Sequence, residues 1–269
     1  MRAAVIGDPA HHSLSPAIHR AGYEATGLGW SYDAITITPE ELPDFVETVL
    51  ADPEWAGLSV TAPHKDAIVG YGDPDDVTQL VGAGNTLVAG TEPRVHNTDV
   101  PGFVRAWRSL SDKTPRRVGI AGNGATVRSM LVALAGLGTR EVVLSVRNVE
   151  RAQAALELAS DLGMDAHAQP LEESVESVDL FASTIPAAAT EPFARGWAKA
   201  ASVVFDVVYD PWPTPVGLAA MDAGIPALNG LDLLAGQAVD QFFLLTGENV
   251  SFELLRSAAG QALESRRSL

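Results

Sequence analysis

The stretch Arg117-Val118-Gly119-Ile120-Ala121-Gly122-Asn123-Gly124-Ala125-Thr126 decides the fold class. Its first five residues read as a buried strand, and Ala125–Leu137 continues as a helix. A glycine-rich turn between a strand and a helix is the context in which a dinucleotide phosphate is held. Gly122 serves the tight turn, Gly124 lets backbone approach a pyrophosphate, and the helix start offers N–H donors and the positive end of its dipole. Asn123, Ala125 and Thr126 complete this candidate cofactor loop. The third glycine of the common pattern is absent, with Val127 in its place. A strand-to-helix turn without a ligand therefore stays open on this stretch alone.

The next strand, Glu141–Val146, sharpens the reading. At its tip a site for NAD carries Asp or Glu to hold the ribose hydroxyls. Here the tip is Arg147-Asn148, with Arg151 following. Planar guanidinium groups match phosphate oxygens bidentately, so these residues point to a 2′-phosphate and to NADP(H) rather than NAD. The competing reading is an i,i+4 pair of arginines on a solvated helix start.

Outward from this unit, short β-rich runs alternate with helical patterns along the chain. Ala3–Ile6, Tyr32–Ile37, Leu58–Val60, Val178–Ser183 and Val203–Val208 read as strands. Ser15–Thr26, Thr214–Ala223, Leu231–Leu245 and a final segment from about Phe252 to Arg266 read as helices. Thr38-Pro39-Glu40-Glu41 reads as a capping box opening a further helix, and Glu150–Asp161 as another. This rhythm predicts α/β architecture with parallel sheets covered by helices. A boundary near residue 104 leaves a second unit large enough for its own nucleotide-binding fold.

Composition excludes several classes. The 269 residues carry 18 Lys+Arg against 34 Asp+Glu, a net charge of −16, which argues against a nucleic-acid partner. With 46% hydrophobic residues the chain can build a core. It has no cysteine, which removes disulfides, thiolate metal sites and a thiol nucleophile, and suits a cytoplasmic location. The longest apolar stretch, 130–138, is short of the roughly 20 residues of a membrane helix. Met1–Ile6 meets Gly7-Asp8-Pro9 too early for a signal core. The six histidines are scattered or adjacent, and no metal site is expected.

The N-terminal unit holds a denser constellation. Ser13 and Ser15 flank a helix start in Gly7-Asp8-Pro9-Ala10-His11-His12-Ser13-Leu14-Ser15-Pro16, a good seat for a carboxylate. Ser15 before Pro16 also reads simply as an N-cap. Further along come Gly57-Leu58-Ser59-Val60-Thr61-Ala62-Pro63-His64-Lys65, Gly82-Ala83-Gly84-Asn85-Thr86 and Asn97-Thr98-Asp99-Val100-Pro101-Gly102-Phe103. Asp206-Val207-Val208-Tyr209-Asp210-Pro211 and Asn229-Gly230-Leu231, with Gln237 downstream, complete the set. In this order, over nearly the whole chain, these segments resemble the shikimate dehydrogenases.

The resemblance implies NADPH-dependent reduction of 3-dehydroshikimate to shikimate, in the pathway to aromatic amino acids. It implies a substrate-binding and catalytic domain made of 1–103 and 229–269. It also implies a Rossmann NADP-binding domain, 104–228, to whose cofactor set Gly230 is added. Carried over by position, Ser13, Ser15 and Tyr209 face the substrate carboxylate. Thr61, Asn85 and Gln237 hold ring hydroxyls, and Lys65 with Asp99 forms the catalytic pair. The chemistry suits that pair: hydride addition to a ketone leaves negative charge on oxygen, which an ammonium stabilises and protonates. Taken alone, Lys65 reads as a solvated loop lysine and Asp99 as a cap for a helix opening at Pro101. Asn123, Ala125, Asn148 and Asp232 depart from the family pattern, and Asp232 bears on the nicotinamide side. Two other readings stand beside this one: a quinate/shikimate or amino-shikimate dehydrogenase paralogue, and a non-catalytic NADP-binding sensor.

Overall fold

The computed structural model describes residues 1–268, and the chain divides into two compact units, 1–102 with 234–269, and 103–233. The first unit contains strands β1 (Arg2–Gly7), β2 (Ser31–Thr36), β3 (Trp55–Val60), β4 (Asp73–Pro74), β5 (Thr86–Val88) and β6 (Arg94–His96). They form one sheet in the order β2-β1-β3-β5-β6-β4. The β1–β2, β1–β3 and β4–β6 pairs are parallel, whereas β5 runs antiparallel to β3 and β6. Helices α1 (Ser15–Thr26), α2 (Leu42–Ala51) and α3 (Asp76–Val81) belong to this unit.

Strand β3 is buried along all six residues, as expected of a strand covered on both faces. One face packs Leu58, Ile6 and Leu87 against Val46 and Val49 of α2. Burying each such side chain contributes about 1.5–3 kcal/mol. The expected helix opening at Thr38 instead starts at Leu42. Glu41 does reach back, accepting the Thr38 N–H at 2.9 Å, which holds its carboxyl below the usual range. Residues 38–41 form only a turn before the helix.

The second unit contains β7 (Arg117–Ala121), β8 (Glu141–Val146), β9 (Asp165–Pro170), β10 (Val178–Ser183), β11 (Ala201–Asp206) and β12 (Ala227–Leu228). All pairings are parallel, in the order β12-β11-β10-β7-β8-β9. Read from β9, this is the doubly wound Rossmann order, with its switch point between β7 and β10. Helix α4 (Asp99–Leu110) contains the first boundary between units and α10 (Gly230–Thr246) the second. Between them lie α5 (Ala125–Leu137), α6 (Gln153–Asp161), α7 (Ala187–Thr190), α8 (Ala194–Ala200) and α9 (Pro215–Asp222), and α11 (Phe252–Arg267) ends the chain.

Two expected elements shift for local reasons. The strand expected to end at Val208 ends at Asp206, because the Asp206 carboxylate accepts the Val208 N–H at 3.1 Å and turns the chain out of the sheet. The expected helix from Glu150 opens with a 3₁₀ turn at Val149–Ala152, capped by Asn148 Oδ1, and α6 begins at Gln153. No helix of the described residues is long and apolar enough to cross a membrane.

Candidate active site

The first unit gathers its polar residues where β1 and β3 end, around the start of α4. Lys65 Nζ donates to Asp99 Oδ2 at 2.5 Å, with side-chain exposures of 16% and 6%. That burial decides between the readings of Lys65, which is no solvated lysine. Nor does Asp99 cap a helix at Pro101: α4 begins at Asp99 itself, and Asn97 Oδ1 takes the Val100 N–H at 3.2 Å. The carboxylate is thereby left to face Lys65.

Asn85 is buried and braces the other side of the carboxylate. Its Nδ2 donates to Asp99 Oδ1 at 3.0 Å, with Gln237 Oε1 at 3.3 Å. Its Oδ1 accepts the Thr98 backbone N–H at 2.8 Å. Gln237 comes from α10, and a close approach of backbones brings it in. A Cβ on Gly102 would lie 2.6 Å from the Gln237 nitrogen, so only glycine lets α4 sit this near to α10. Thr61 follows β3, partly exposed, with its N–H donated to the Ile6 carbonyl at 2.9 Å.

Ser13 and Ser15 lie together at the start of α1. The Ser13 hydroxyl donates to Ser15 Oγ at 3.1 Å and accepts the Ser15 N–H at 3.1 Å. The N-cap reading of Ser15 is corrected here: Ser15 is the first helical residue, and the cap position, Leu14, makes no side-chain cap. The two hydroxyls pair with each other at a helix N-terminus, and the Tyr32 hydroxyl also reaches Ser15. Arg266, near the end of α11, donates to the His12 and Ser13 carbonyls at 2.6 and 2.7 Å and holds this loop from outside.

The remaining candidates belong to the second unit. A cleft of about 460 Å³ is lined by Gly122, Asn123, Arg147, Asn148 and Arg151, among others. Gly122 has φ +120°, and a Cβ there would run into the Thr184 hydroxyl. Asn123 Nδ2 donates to the Arg151 carbonyl at 2.9 Å, tying the glycine turn to the arginine tip. Arg147 and Arg151 are exposed. The Asn148 side chain is taken up by capping, accepting from the Glu150 and Arg151 N–H groups. Gly124 caps α5, with Ala125 and Thr126 in its first turn, and none of the three lines the cleft.

Tyr209 and Gly230 are neighbours in this unit: a Cβ on Gly230 would lie 3.0 Å from the Tyr209 ring. Asp232 has a local role. Its Oδ2 accepts the Asn229 N–H at 2.7 Å while Asn229 Oδ1 accepts the Leu231 N–H at 2.9 Å, a capping arrangement at the start of α10. Asp206 is buried here, and loss of hydration pushes its carboxyl up to about 6 despite the Thr214 hydroxyl at 2.6 Å.

Sequence reasoning missed Thr98, Gln241 and Arg266. Gln241 had a signal, since it lies four residues after Gln237 on the same helix face. Taken together, the first unit offers a buried ammonium–carboxylate pair among amide donors beside two paired hydroxyls. The second offers a backbone cradle beside exposed guanidinium groups.

Comparison with known proteins identifies relatives along nearly the whole chain. The family model of the shikimate dehydrogenase substrate binding domain matches residues 5–87. The shikimate dehydrogenase (NADP(+)) of Desulfitobacterium hafniense is 31% identical over 97% of this chain and 97% of that protein. The crystal structure of a shikimate 5-dehydrogenase from Mycobacterium fortuitum superposes with a TM-score of 0.85 at 37% identity, covering 96% of this chain and 97% of that one. The enzyme of Thermus thermophilus, solved in complex with NADP(H) and shikimate, gives 0.82 at 30% identity, covering 97% and 99%.

Proposed function

Because the chain belongs to the shikimate dehydrogenase family, we propose that it catalyses the reversible NADPH-dependent reduction of 3-dehydroshikimate to shikimate, as a cytoplasmic enzyme of aromatic amino-acid biosynthesis. The observation that carries this reading is the buried Lys65–Asp99 pair at 2.5 Å, braced by Asn85.

The first unit takes the substrate. Ser13 and Ser15, with the α1 N-terminus behind them, receive its carboxylate through hydroxyl donors and the helix dipole. Thr61, Asn85 and Gln237 hold the ring hydroxyls and so fix which carbon is presented. Lys65 stabilises the negative charge growing on the carbonyl oxygen and gives it a proton, while Asp99 orients the ammonium. In the reverse direction the same pair accepts the hydroxyl proton.

The second unit takes the cofactor, which when bound supplies or accepts the hydride. The residues present fit it. Gly122 keeps the cradle clear of a side chain, and the α5 N-terminus, which has no side-chain cap, would turn its N–H donors to the pyrophosphate. Arg147 and Arg151 stand at the rim, where they would grip the 2′-phosphate of NADP(H). Asn123 and Asn148 shape that rim, and Gly230 leaves room beside Tyr209.

The test is loss of NADPH absorbance with 3-dehydroshikimate, run beside NADH and, in the oxidative direction, shikimate beside quinate. The reading predicts rapid turnover with NADPH and 3-dehydroshikimate and strong preference for shikimate. Comparable rates on quinate and shikimate would favour the paralogue, and cofactor binding without turnover would favour the sensor.

A further inference from the structure

Behind the substrate pocket lies a second polar cluster that the proposed mechanism does not use. Gln241, on α10, is buried, and its amide is the hub. Its Nε2 donates to the Asn85 backbone carbonyl at 2.9 Å and to Thr86 Oγ1 at 3.0 Å. Its Oε1 accepts the Ser59 hydroxyl at 2.8 Å and faces His19 Nε2 at 3.4 Å. Ser59 in turn accepts from the Tyr32 hydroxyl at 2.5 Å. His19 stacks on Tyr32 with ring centroids 4.1 Å apart. Burial lowers His19 to about 4, so at neutral pH the ring is uncharged. Its Nδ1 has no partner among the described residues, which places the single proton on Nε2, toward Gln241.

These bonds have one consistent direction. Gln241 Nε2 donates to Thr86 Oγ1, so the Thr86 hydroxyl spends its own proton on Asn85 Oδ1, 3.1 Å away. Together with the Thr98 N–H at 2.8 Å, this holds Asn85 Oδ1 as an acceptor from two sides, and Nδ2 is turned to Asp99 Oδ1. The same Gln241 amide also pins the Asn85 main chain. Placing so many polar groups out of water is costly unless every one is paired, so a glutamine satisfied on four sides is strongly oriented.

We propose that Gln241 is a positioning residue for the reaction: by pinning the Asn85 main chain and the Thr86 hydroxyl it locks, together with Thr98, the direction of the amide that aligns the Asp99 carboxylate with Lys65. This rests on the assignment of Asn85, Lys65 and Asp99 to the active site. The account predicts the same loss from two substitutions that differ only on the side of Gln241 away from the active site. Q241M keeps the shape and removes every hydrogen bond. Q241E keeps the acceptor for Ser59 but loses the donor to Thr86 and Asn85, the half that faces the active site.

The experiment measures steady-state kinetics, NADPH binding and the side-chain amide NMR signal of Asn85 in both variants and the parent. Misalignment of a reacting group is felt chiefly in the transition state, so kcat falls about tenfold or more while KM for shikimate changes less than about threefold. NADPH affinity stays at the parent value. Hydrogen exchange of the Asn85 side-chain amide, slow in the parent, accelerates in Q241M and Q241E alike. Should Q241M fail to fold, T86V breaks the same relay one bond nearer the site, and T86S restores it. Folded variants with unchanged kcat and an unchanged Asn85 amide signal would overturn the inference. The amide signal is read without turnover, so it tests Gln241 even if the parent proves inactive on shikimate, a result that would count against the proposed reaction instead.

Discussion

The two units hold their candidate sites by opposite means. In the first, Lys65, Asp99, Asn85 and Gln237 are largely withdrawn from water and already paired with one another. In the second, Arg147 and Arg151 are exposed along a cleft whose lining includes the Gly122 turn. The difference teaches where function and folding are coupled. Removing one partner of a buried pair leaves the other unpaired and costs stability as well as chemistry. Removing an exposed arginine costs binding and little else.

The largest expected effect breaks the buried side. Asp99→Leu strands the Lys65 ammonium, so turnover falls by roughly 10²–10⁴-fold, the range of a lost acid–base partner. Thermal melting should fall with it, by the equivalent of about 3–5 kcal/mol for an uncompensated buried charge. Melting unchanged beside lost turnover would mean that the pair carries no structural role.

Smaller effects follow at the carboxylate seat. Ser13→Ala or Ser15→Ala should weaken shikimate by roughly 1–3 kcal/mol, the cost of a buried charged acceptor losing a donor. Melting should hardly move for the half-buried Ser13 and fall only modestly for the buried Ser15, beside the loss in binding. A lower melting temperature with an intact specificity constant would return Ser15 to a structural role. On the exposed side, Arg147→Ala should raise KM for NADPH about tenfold, the worth of one charge-assisted contact, with stability unmoved. The weak use of NADH should stay the same, and an equal effect on both cofactors would make Arg147 structural.

A further test sharpens the contrast through pH. His19 in the first unit is lowered by burial to about 4, so the folded state resists protonation that the unfolded chain accepts at 6.5. Its contribution is present above 6.5 and is lost as pH falls toward 4, by roughly 3 kcal/mol at most. Asp206 in the second unit, raised by burial to about 6, behaves oppositely. The folded state keeps a proton that the unfolded chain has released, so this contribution is present at low pH and is lost as pH rises through 6. Melting of His19→Leu between pH 4 and 7 should lose the acid-side decline relative to the parent, whereas Asp206→Asn should lose the opposing slope. Parallel curves for parent and His19→Leu would contradict the buried neutral histidine.

What was legible in the sequence was local. The glycine turn, α5 and the arginine tip declare themselves within 35 residues, because turn chemistry and helix periodicity act between near neighbours. Strands β5 and β6 were not legible: three residues each are too few for any period. Strand β9 reads Asp-Ala-His-Ala-Gln-Pro and lacks β-branched residues, so only its pairing with β8 makes it a strand. The site residues of the first unit came through their matching motifs, but their pairings are long-range. Asn85 meets Gln237 across 152 positions, and Gln241 meets Ser59 across 182. A glutamine on a helix reads as solvent-facing until the fold buries it, as it does Gln241, and the role of Asp232 rests on a capping bond that its departure from the family pattern does not announce.

The most direct test of the central claim is Lys65→Ala, with shikimate binding by calorimetry and turnover with NADPH and 3-dehydroshikimate measured on the same folded preparation. If Lys65 acts on charge that develops during the reaction, turnover falls by about two to four orders of magnitude while the dissociation constant for shikimate moves less than about tenfold. Near-parent turnover in the folded variant would contradict the account.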